Sequence, residues 1–521
     1  MTSEPTAHDL AQANTHRHRS AANPAVLQVA VIGAGFGGIG MAAALRRTGI
    51  TRFAVFERSG DIGGVWRDNT YPGCNCDVPA HLYSLPIAPY RDRHIRYPDQ
   101  RAILNYLHRI VADEGLTPHL RSGIGITAAT YLDDTGFWEL VTDSGQTILT
   151  ETVVFALGQL HRPHIPTLPG HIEFGGTTFH TARWNHDHPL TGRSVAVIGT
   201  GSSAAQILPS LADTAARVRV FQRTPHWVLP KPGPAFGPVT TALLAVPGAH
   251  HAYRRLLHHS ADNLLAPIMR RGWTARPAEA IARRYLRHHI SDAVMRAKLT
   301  PNYPLGGTRI VLDNGFYPSL RRPNVELITT PICELDTRGL ITSDGTHHDA
   351  DTIIYATGFH APQFLADVTV SGRGGRLLHE QWAEGASAFY GMAVPGFPNL
   401  FLIAGPNSFT AAGSNPAMKQ LQIDYILACL RLRAESGDMA IEVDSEAMSA
   451  YQEWMDRALQ TTVWPRSPQS WYKHANGAVT NPWPATVGQY RKKLRRNPPT
   501  HCFTTIAHQP PTMAFAGELA Q

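Results

Sequence analysis

Two glycine-rich loops carry the clearest chemical signal in this chain. The first, G-A-G-F-G-G at residues 33–38, directly follows the apolar run 26–32. The second, G-T-G-S-S-A at residues 199–204, directly follows the apolar run 194–198. A G-x-G-x-x-G turn between a buried strand and a helix lets the backbone approach a pyrophosphate at the helix N-terminus. Two such turns favour a protein that binds two dinucleotides.

The strands that follow the two loops end in different side chains, so the two ligands should differ. The strand predicted at residues 53–56 is followed by Glu57. A carboxylate at this position accepts ribose hydroxyls and repels a 2′-phosphate. FAD or NAD is therefore expected at the first site. The corresponding position after the second loop is the neutral Gln222, followed by Arg223 and Thr224. These two residues can face a 2′-phosphate, which favours NADPH at the second site.

A third motif lies between the two loops. Phe174, Gly176, His180 and Trp184 are spaced as F-x-G-x-x-x-H-x-x-x-W. Taken alone, the stretch could be an inter-domain linker whose aromatic residues only pack. Between two dinucleotide loops it resembles the fingerprint of the type I Baeyer–Villiger monooxygenases, flavoproteins that insert one oxygen of O2 next to a ketone carbonyl. The family pattern usually ends in Pro or Asp, where this chain has Asn185.

Segments on either side of the fingerprint resemble the same family. The sequences G-G-V-W at 63–66, Y-P-G-C-N-C-D at 71–77 and L-Y-S at 82–84 resemble flavin-facing loops. The resemblance makes Asp77 the acid near the isoalloxazine ring. It also places Arg309, which follows Y-P-L-G, at the position of the catalytic arginine.

Two other features bear on the predicted NADPH site: one departs from the family pattern and one agrees with it. Thr308 replaces a lysine that in relatives helps to bind the NADPH phosphate. The stretches 470–473 and 481–484 resemble a loop that folds over NADP.

Motifs and resemblance together predict one set of site residues. The predicted catalytic pair is Arg309 and Asp77, and no metal site is predicted. The predicted cofactor-binding residues are Gly33, Gly35, Phe36, Gly38, Glu57, Arg58, Gly64, Val65, Trp66, Asp77, Tyr83, Ile126, Thr200, Gly201, Ser202, Ser203, Gln206, Arg223, Thr224 and Trp471.

The resemblance also implies a mechanism. NADPH would reduce FAD, O2 would form a C4a-peroxyflavin, and this species would convert a ketone to an ester or lactone. Arg309 would stabilise the negative charge, and Asp77 would orient Arg309. The alternative is a flavin-containing monooxygenase that oxidises nitrogen or sulfur atoms, and Trp184 and Arg309 argue against it. A disulfide reductase would need C-x-x-x-x-C near the first loop, where none occurs. A catalytically silent NADPH-binding module would not consume NADPH with O2.

Composition agrees with an ordinary globular enzyme. With 521 residues, 43% hydrophobic and 17% charged, two or three domains are expected. A net charge of +7 is a weak field for a chain of this size, so no nucleic-acid partner is predicted. Five cysteines, with only the C-x-C pair Cys74 and Cys76 close together, favour free thiols and a cytoplasmic location. No run of 18 apolar residues occurs, so no stable membrane insertion is expected.

The expected fold class is α/β with two Rossmann-like dinucleotide-binding domains, the FAD domain being interrupted by the NADPH domain. Histidines in the predicted helical insertion lack metal spacing and are expected to be solvated. The predicted boundaries are a disordered tail at 1–24, the FAD domain at 25–165 and 370–505, the NADPH domain at 166–369 with the helical insertion at 232–300, and a C-terminal tail at 506–521.

Overall fold

A computed structural model describes residues 26–437 and 439–506 of the chain. Both predicted tails lie outside these residues, except for Ile506, which ends the last strand.

The secondary-structure elements fall into three stretches of the chain. The first contains β1 (Val29–Ile32), α1 (Phe36–Arg47), β2 (Phe53–Glu57), α2 (Val65–Asp68), α3 (Gln100–Asp113), β3 (Leu120–Ser122), β4 (Ile126–Leu132), β5 (Phe137–Thr142), β6 (Thr147–Thr150) and β7 (Val153–Phe155). The second contains β8 (Thr177–His180), β9 (Ser194–Ile198), α4 (Ser202–Thr214), β10 (Arg217–Phe221), β11 (Val228–Leu229), α5 (Pro238–Leu244), α6 (Ala249–Ser260), α7 (Ala275–His289), α8 (Ala293–Leu299), β12 (Val311–Leu312), α9 (Phe316–Ser319), β13 (Val325–Ile328), β14 (Ile332–Leu335), β15 (Gly339–Thr342), β16 (His347–Asp349) and β17 (Thr352–Tyr355). The third contains β18 (Thr369–Ser371), α10 (Leu378–Gln381), β19 (Leu400–Leu402), α11 (Asn415–Glu435), β20 (Ala440–Val443), α12 (Ser445–Gln460), α13 (Val487–Arg496), α14 (Pro499–Cys502) and β21 (Phe503–Ile506).

Two parallel five-stranded sheets organise these elements. The first has the order β19-β7-β1-β2-β3, and the second has the order β13-β10-β9-β17-β8. All residues of β1 and β2 are buried, as expected for parallel strands covered on both faces. Because β19 pairs with β7, the first sheet is completed by chain that comes after the whole second sheet. The predicted α/β class with two Rossmann-like units, one discontinuous, is therefore confirmed.

Small residues let α11 approach α1 closely. A Cβ atom on Gly40 would lie 2.9 Å from Cδ1 of Ile423 on α11, and one on Gly37 would lie 2.9 Å from Cγ2 of Ile403, directly after β19. Ile403 and Ile423 are buried there, and burying a side chain of this size stabilises the fold by about 1.5–3 kcal/mol. The first site is thus framed by a helix from each end of the chain.

A smaller, mainly antiparallel sheet packs against each of the two parallel sheets. Strands β4, β5 and β6 pair antiparallel, and β18 joins β4 in parallel register. Strands β14, β15 and β16 form a second antiparallel sheet within the second unit. These small sheets position no residue of the predicted catalytic pair.

The predicted insertion at 232–300 consists of helices, as expected, with a π turn (Ala261–Leu265) and a 3-10 turn (Ala266–Arg270) after α6. Its histidines are not uniformly solvated, which corrects the prediction. His250 stacks on the buried His81 with ring centroids 5.2 Å apart. His258 is half-buried, and burial lowers its pKa to about 4. The His250 ring therefore lies on the side of α6 that packs on the first unit.

Candidate active site

The first glycine loop leaves open space at the carboxyl end of β1. A Cβ atom on Gly35 would meet only the Cα atom of Gly64, at 3.9 Å, so the two glycines face each other across a cleft. A Cβ atom on Gly38 would instead lie 1.8 Å from the carbonyl oxygen of Gly33, so close packing requires glycine there. The loop therefore fits a pyrophosphate approaching the N-terminus of α1.

Glu57 lies at the end of β2, beside the loop. Its carboxylate accepts a hydrogen bond from the Ala34 N–H at 3.0 Å and one from the Ser59 N–H at 3.1 Å. It also forms an ion pair with Arg67 at 2.9 Å, a partner that the sequence did not reveal. These contacts hold the carboxylate at the cleft, where it can accept ribose hydroxyls.

One cavity collects most of the residues predicted to bind the first cofactor. Gly38, Trp66 and Asp77 do not line it: Gly38 packs inside the turn, Trp66 is placed beside the cavity, and Asp77 pairs with Arg309. The predicted residues that line the cavity are Gly33, Gly35, Phe36, Glu57, Arg58, Gly64, Val65, Tyr83, Ile126 and Trp471.

Aromatic side chains form one wall of this cavity. The Trp66 indole N–H donates to the Tyr83 hydroxyl at 3.2 Å, and the Tyr83 ring meets Phe36 edge-on at 5.2 Å. Trp471 comes from the far end of the chain and meets Phe409 edge-on at 4.9 Å. Planar apolar walls of this kind suit a planar ring system and exclude water from it.

Lys419 is a cavity-lining cation that sequence reasoning missed. Its side chain is half-buried, and no carboxylate lies within 4 Å of its amine in residues 26–437 or 439–506. Burial lowers the pKa of this amine to about 8. Even a partly buried cation without a counter-charge is costly, so the cavity is suited to an anionic group.

The packing of α11 on α1 indicates which part of the cavity Lys419 faces. The two helices follow parallel strands of one sheet and so run in the same direction. Ile423 lies opposite Gly40, and Lys419 precedes Ile423 by one turn as Phe36 precedes Gly40. Lys419 is therefore level with the N-terminus of α1, beside the glycine loop. No motif marks this lysine, because it becomes a site residue only when α11 packs on α1.

Arg309 and Asp77 form a bidentate ion pair, although 232 positions separate them in the chain. The Arg309 Nη2 atom lies 2.6 Å from each carboxylate oxygen of Asp77. Burial opposes the charge of Arg309, but the adjacent Asp77 carboxylate raises its pKa above the ordinary value. The Arg309 side chain remains 30% exposed, so part of the guanidinium is open to another ligand. The two predicted catalytic residues are thus brought together.

The loop that carries Arg309 is held from two sides. The Tyr303 hydroxyl donates to the Pro225 carbonyl oxygen at 2.7 Å, and the Trp227 indole donates to the Tyr303 carbonyl oxygen at 2.9 Å. From the other side, the Trp464 indole donates to the Gly306 carbonyl oxygen at 3.0 Å. Asp77 belongs to the first unit, so the ion pair joins the two nucleotide-binding units beside the aromatic wall.

The second glycine loop has the same form as the first. A Cβ atom on Gly201 would meet nothing within 4 Å, and Ser202 and Ser203 begin α4. Thr200 is buried and donates to the carbonyl oxygen of Thr224 at 3.4 Å. The loop is therefore tied to the end of β10, where the phosphate-binding residues were predicted.

Arg223 is exposed at the end of β10 and makes no ion pair within the described part of the chain. The neighbouring Gln222 is buried, and its amide donates to the Lys298 carbonyl oxygen at 2.8 Å. No carboxylate takes the position that would repel a 2′-phosphate, and Arg223 and Thr224 remain available to face one. The geometry agrees with the predicted preference at this site.

Gln206, which was predicted to bind a cofactor, and Thr308, which replaces the lysine of the family, both make hydrogen bonds within the protein. Gln206 accepts from the Tyr71 hydroxyl at 2.9 Å and donates to the Asn75 carbonyl oxygen at 3.0 Å. Its amide therefore joins α4 to the first unit. Thr308 is buried and shares a hydrogen bond of 2.9 Å with the Tyr303 hydroxyl. It does not present an open side chain to a phosphate.

The fingerprint residues pack within the second unit and around its crossover. A Cβ atom on Gly176 would lie 2.5 Å from the Phe174 ring, and Trp184 meets Phe179 edge-on at 5.1 Å. His180 is buried at the end of β8, and burial lowers its pKa to about 4. Its Nδ1 atom accepts from the Ala182 N–H at 3.0 Å, so the ring is neutral. None of these residues lines the first cavity.

Residues 26–437 and 439–506 contain no group of three or more His, Cys, Asp or Glu side chains arranged to hold a metal ion. They also contain no helix of the length and apolarity needed to cross a bilayer.

Comparisons with known proteins agree with this geometry. The flavin-binding monooxygenase-like family model matches residues 26–245. A Baeyer-Villiger monooxygenase of Streptomyces coelicolor is 39% identical over 473 residues, which are 90% of this chain and 91% of that protein. The crystal structure of OTEMO in complex with FAD and NADP matches with a TM-score of 0.82 at 25% identity, covering 92% of this chain and 99% of that chain.

A second solved structure gives the same result. Cyclohexanone monooxygenase from Rhodococcus sp. Phi1, bound to NADP+, matches with a TM-score of 0.81 at 28% identity, covering 93% of this chain and 100% of that chain. Relatives of this identity and coverage, together with the two parallel sheets and the cavity at the first glycine loop, place this chain in the Baeyer–Villiger monooxygenase family.

Proposed function

We propose that this protein is an FAD- and NADPH-dependent monooxygenase that converts a ketone to an ester or lactone. The net reaction consumes the ketone, O2, NADPH and one proton, and produces the ester, water and NADP+. The observation that carries the proposal is the Asp77–Arg309 ion pair, which joins the two nucleotide-binding units beside the aromatic wall. Oxygen insertion needs a cation at that place, whereas simple hydride transfer does not.

FAD is assigned to the first cavity and NADPH to the second glycine loop. When bound, the two cofactors would supply the redox chemistry, with NADPH as the hydride donor and FAD as the group that activates O2. Gly35 and Gly64 would leave room for the pyrophosphate, and Glu57 would accept the ribose hydroxyls. Lys419 would add a positive charge to the same cavity. Residues 25–165 and 370–505 then form the FAD-binding domain, and 166–369 form the NADPH-binding domain.

Arg309 acts on the charge that develops during oxygen transfer. Its guanidinium is held by Asp77 on one side and is partly exposed on the other. The exposed N–H groups can donate to a negatively charged oxygen and to the former ketone oxygen as charge builds there. Asp77 fixes the direction of these donors and is a positioning residue in this scheme.

Water exclusion is the task of the aromatic wall and the C-terminal loop. Tyr83 and Trp471 line the cavity from opposite ends of the chain, and Trp66 orients Tyr83 through the 3.2 Å hydrogen bond. Because water in the site would divert reducing equivalents to H2O2, opening this wall should lower the yield of ester per NADPH.

The test is product analysis with purified, FAD-loaded protein. The protein is incubated with NADPH, 18O2 and a panel of cyclic, aryl and linear ketones. The expected ester or lactone is about 18 mass units heavier than its ketone, because one 18O atom has been inserted. An amine and a sulfide are included as controls. Oxygen transfer to these two compounds alone, with every ketone recovered unchanged, would contradict ketone oxygenation and favour a heteroatom oxygenase.

A further inference from the structure

The helical insertion, residues 232–300, contains all of the excess positive charge of the protein. It has nine arginines and one lysine against three carboxylates, Asp262, Glu279 and Asp292, which gives +7. The whole chain is also +7, so the remaining residues sum to zero. Within the described residues, none of the ten cations of the insertion forms an ion pair with a carboxylate. The charge is therefore concentrated and unneutralised.

The same segment carries most of the exposed large apolar side chains. Of the eleven such side chains found in residues 26–437 and 439–506, nine lie in the insertion and only Ile165 and Ile172 lie elsewhere. A concentration of this kind on a protein surface marks an interaction site. The nine residues are Val239, Leu243, Val246, Leu256, Leu264, Leu265, Trp273, Ile281 and Val294.

Several of these side chains are spaced to share a helix face. Val239 and Leu243 are one turn apart on α5. Leu256 and Leu264 are two turns apart along α6 and the π turn that continues it. Helices α5 and α6 are in contact, so the two stripes are neighbours. Trp273 is 71% exposed and follows the exposed Arg270 and Arg271.

The other side of the insertion is firmly attached to the protein. Arg254 donates to the Ser84 carbonyl oxygen at 2.9 Å, and Tyr285 donates to the Asp313 carbonyl oxygen at 3.2 Å. Asp262 accepts the backbone N–H groups of Val487 and Gly488 at 3.2 and 3.1 Å. The exposed apolar residues therefore stand on a rigid base and are not needed to attach the insertion.

Charge and apolarity together select the partner. A second copy of this chain would bring another +7 surface against the first, which is unfavourable. A nucleic acid would use the arginines but not the aliphatic side chains. The chain ends outside the described residues have formal charges of zero (1–25) and −1 (507–521), so neither complements the surface. Helices with apolar side chains and unpaired arginines match the interface of an anionic lipid bilayer.

We propose that the exposed face of the helical insertion docks on anionic membranes, with its apolar side chains in the headgroup region and its arginines on lipid phosphates. Docking is peripheral, because the helices lie along the surface and are anchored on their inner side. The inference concerns where the protein binds and does not depend on the reaction assigned to it.

The experiment is vesicle flotation of the full-length, FAD-loaded protein. Phosphatidylcholine vesicles containing 30% phosphatidylglycerol should bind it, whereas pure phosphatidylcholine vesicles should bind it weakly, and 0.5 M salt should release it. Leu243→Ser with Leu264→Ser should abolish binding. Arg255→Gln with Arg284→Gln should weaken binding roughly 25-fold, because each basic side chain near an anionic surface contributes roughly fivefold.

Matched controls use exposed residues outside the insertion. Ile172→Ser and Arg457→Gln change an 84% exposed apolar side chain and a 72% exposed arginine, and neither should alter flotation. All variants should retain bound FAD, since the substituted side chains are exposed. Equal binding to both vesicle types, or binding unaffected by the insertion variants, would overturn the proposal.

Two parallel measurements distinguish the other partners. If the surface is a dimer interface, sedimentation will show a dimer that the two serine substitutions dissociate. If it is a nucleic-acid site, a fluorescent single-stranded oligonucleotide will bind and will be lost only in the arginine variant. Either result, obtained without flotation, refutes membrane docking.

Discussion

Replacing Arg309 by methionine should separate oxygen insertion from flavin reduction. The substitution keeps an apolar stem of similar length but removes the guanidinium that both Asp77 oxygens contact at 2.6 Å. Loss of a preorganised electrostatic stabiliser costs about 2.7–4 kcal/mol, or roughly 100- to 1000-fold in the step that it serves. Flavin reduction by NADPH depends on contact between the two cofactors and should persist.

The same substitution also affects stability, and the structure allows the two effects to be separated. Arg309→Met leaves the buried carboxylate of Asp77 without its partner, and removing one partner of a buried pair costs about 3–5 kcal/mol. Because the Arg309 side chain is 30% exposed, we expect the lower end, about 3 kcal/mol. In the double variant with Asp77→Asn no unpaired charge remains, so stability should largely return while oxygenation stays lost.

Three measurements test this prediction. Anaerobic stopped-flow absorbance gives the rate of flavin reduction, gas chromatography gives ester per NADPH, and a peroxidase assay gives H2O2. Urea unfolding of each variant gives the stability change. We expect near-normal reduction, ester below about 1% of wild type, since the affected step slows at least 100-fold, and H2O2 equal to the NADPH consumed. If Arg309→Met forms ester at a yield per NADPH close to that of wild type, another group stabilises the oxygen and the assignment is wrong.

Three other predictions follow from single residues. Lys419→Met should raise the FAD dissociation constant about 10- to 100-fold, since a charge-assisted hydrogen bond contributes about 1.5–3 kcal/mol. Lys419→Arg keeps the charge and should leave the constant unchanged. Flavin-fluorescence titration of the apoprotein measures both constants, and equal affinities of the two variants for FAD would show that Lys419 does not contact it. Arg223→Gln should lower the NADPH-to-NADH ratio of kcat/KM, whereas Thr308→Lys should leave that ratio unchanged and lower Tm, because its ammonium would be buried beside Tyr303. A raised ratio in Thr308→Lys would show that position 308 reaches the phosphate after all. The pKa of His180 is about 4 in the folded protein and about 6.5 in the unfolded chain. The neutral ring therefore contributes fully to the free energy of unfolding above pH 6.5, and this contribution is lost as the pH falls toward 4. Urea unfolding at pH 7 and pH 5 should therefore show about 2 kcal/mol more loss in wild type than in His180→Gln, and equal losses would mean that the ring is already charged in the fold.

Local rules were enough for the sequence to determine the two nucleotide-binding units. A buried strand, a glycine turn and a helix follow one another within about 20 residues, so their geometry depends on neighbours in the chain. For the same reason, the sequence indicated different dinucleotides at the two sites, from Glu57 in one unit and from Gln222 and Arg223 in the other. The helical character of the insertion was also predictable from its spacing.

Tertiary structure decided which of these residues share a site. Lys419 carries no motif, and it lines the cavity beside the glycine loop only because Gly40 lets α11 pack closely on α1. Gln206 and Thr308 sit at positions that suggested cofactor contacts, yet Asn75 and Tyr303 occupy their hydrogen-bonding groups after folding. The exposed surface of the insertion was likewise decided by tertiary packing. The sequence predicts helices in this segment, but only packing decides which of its apolar side chains remain exposed, because burial is set by contacts between segments that are distant in the chain.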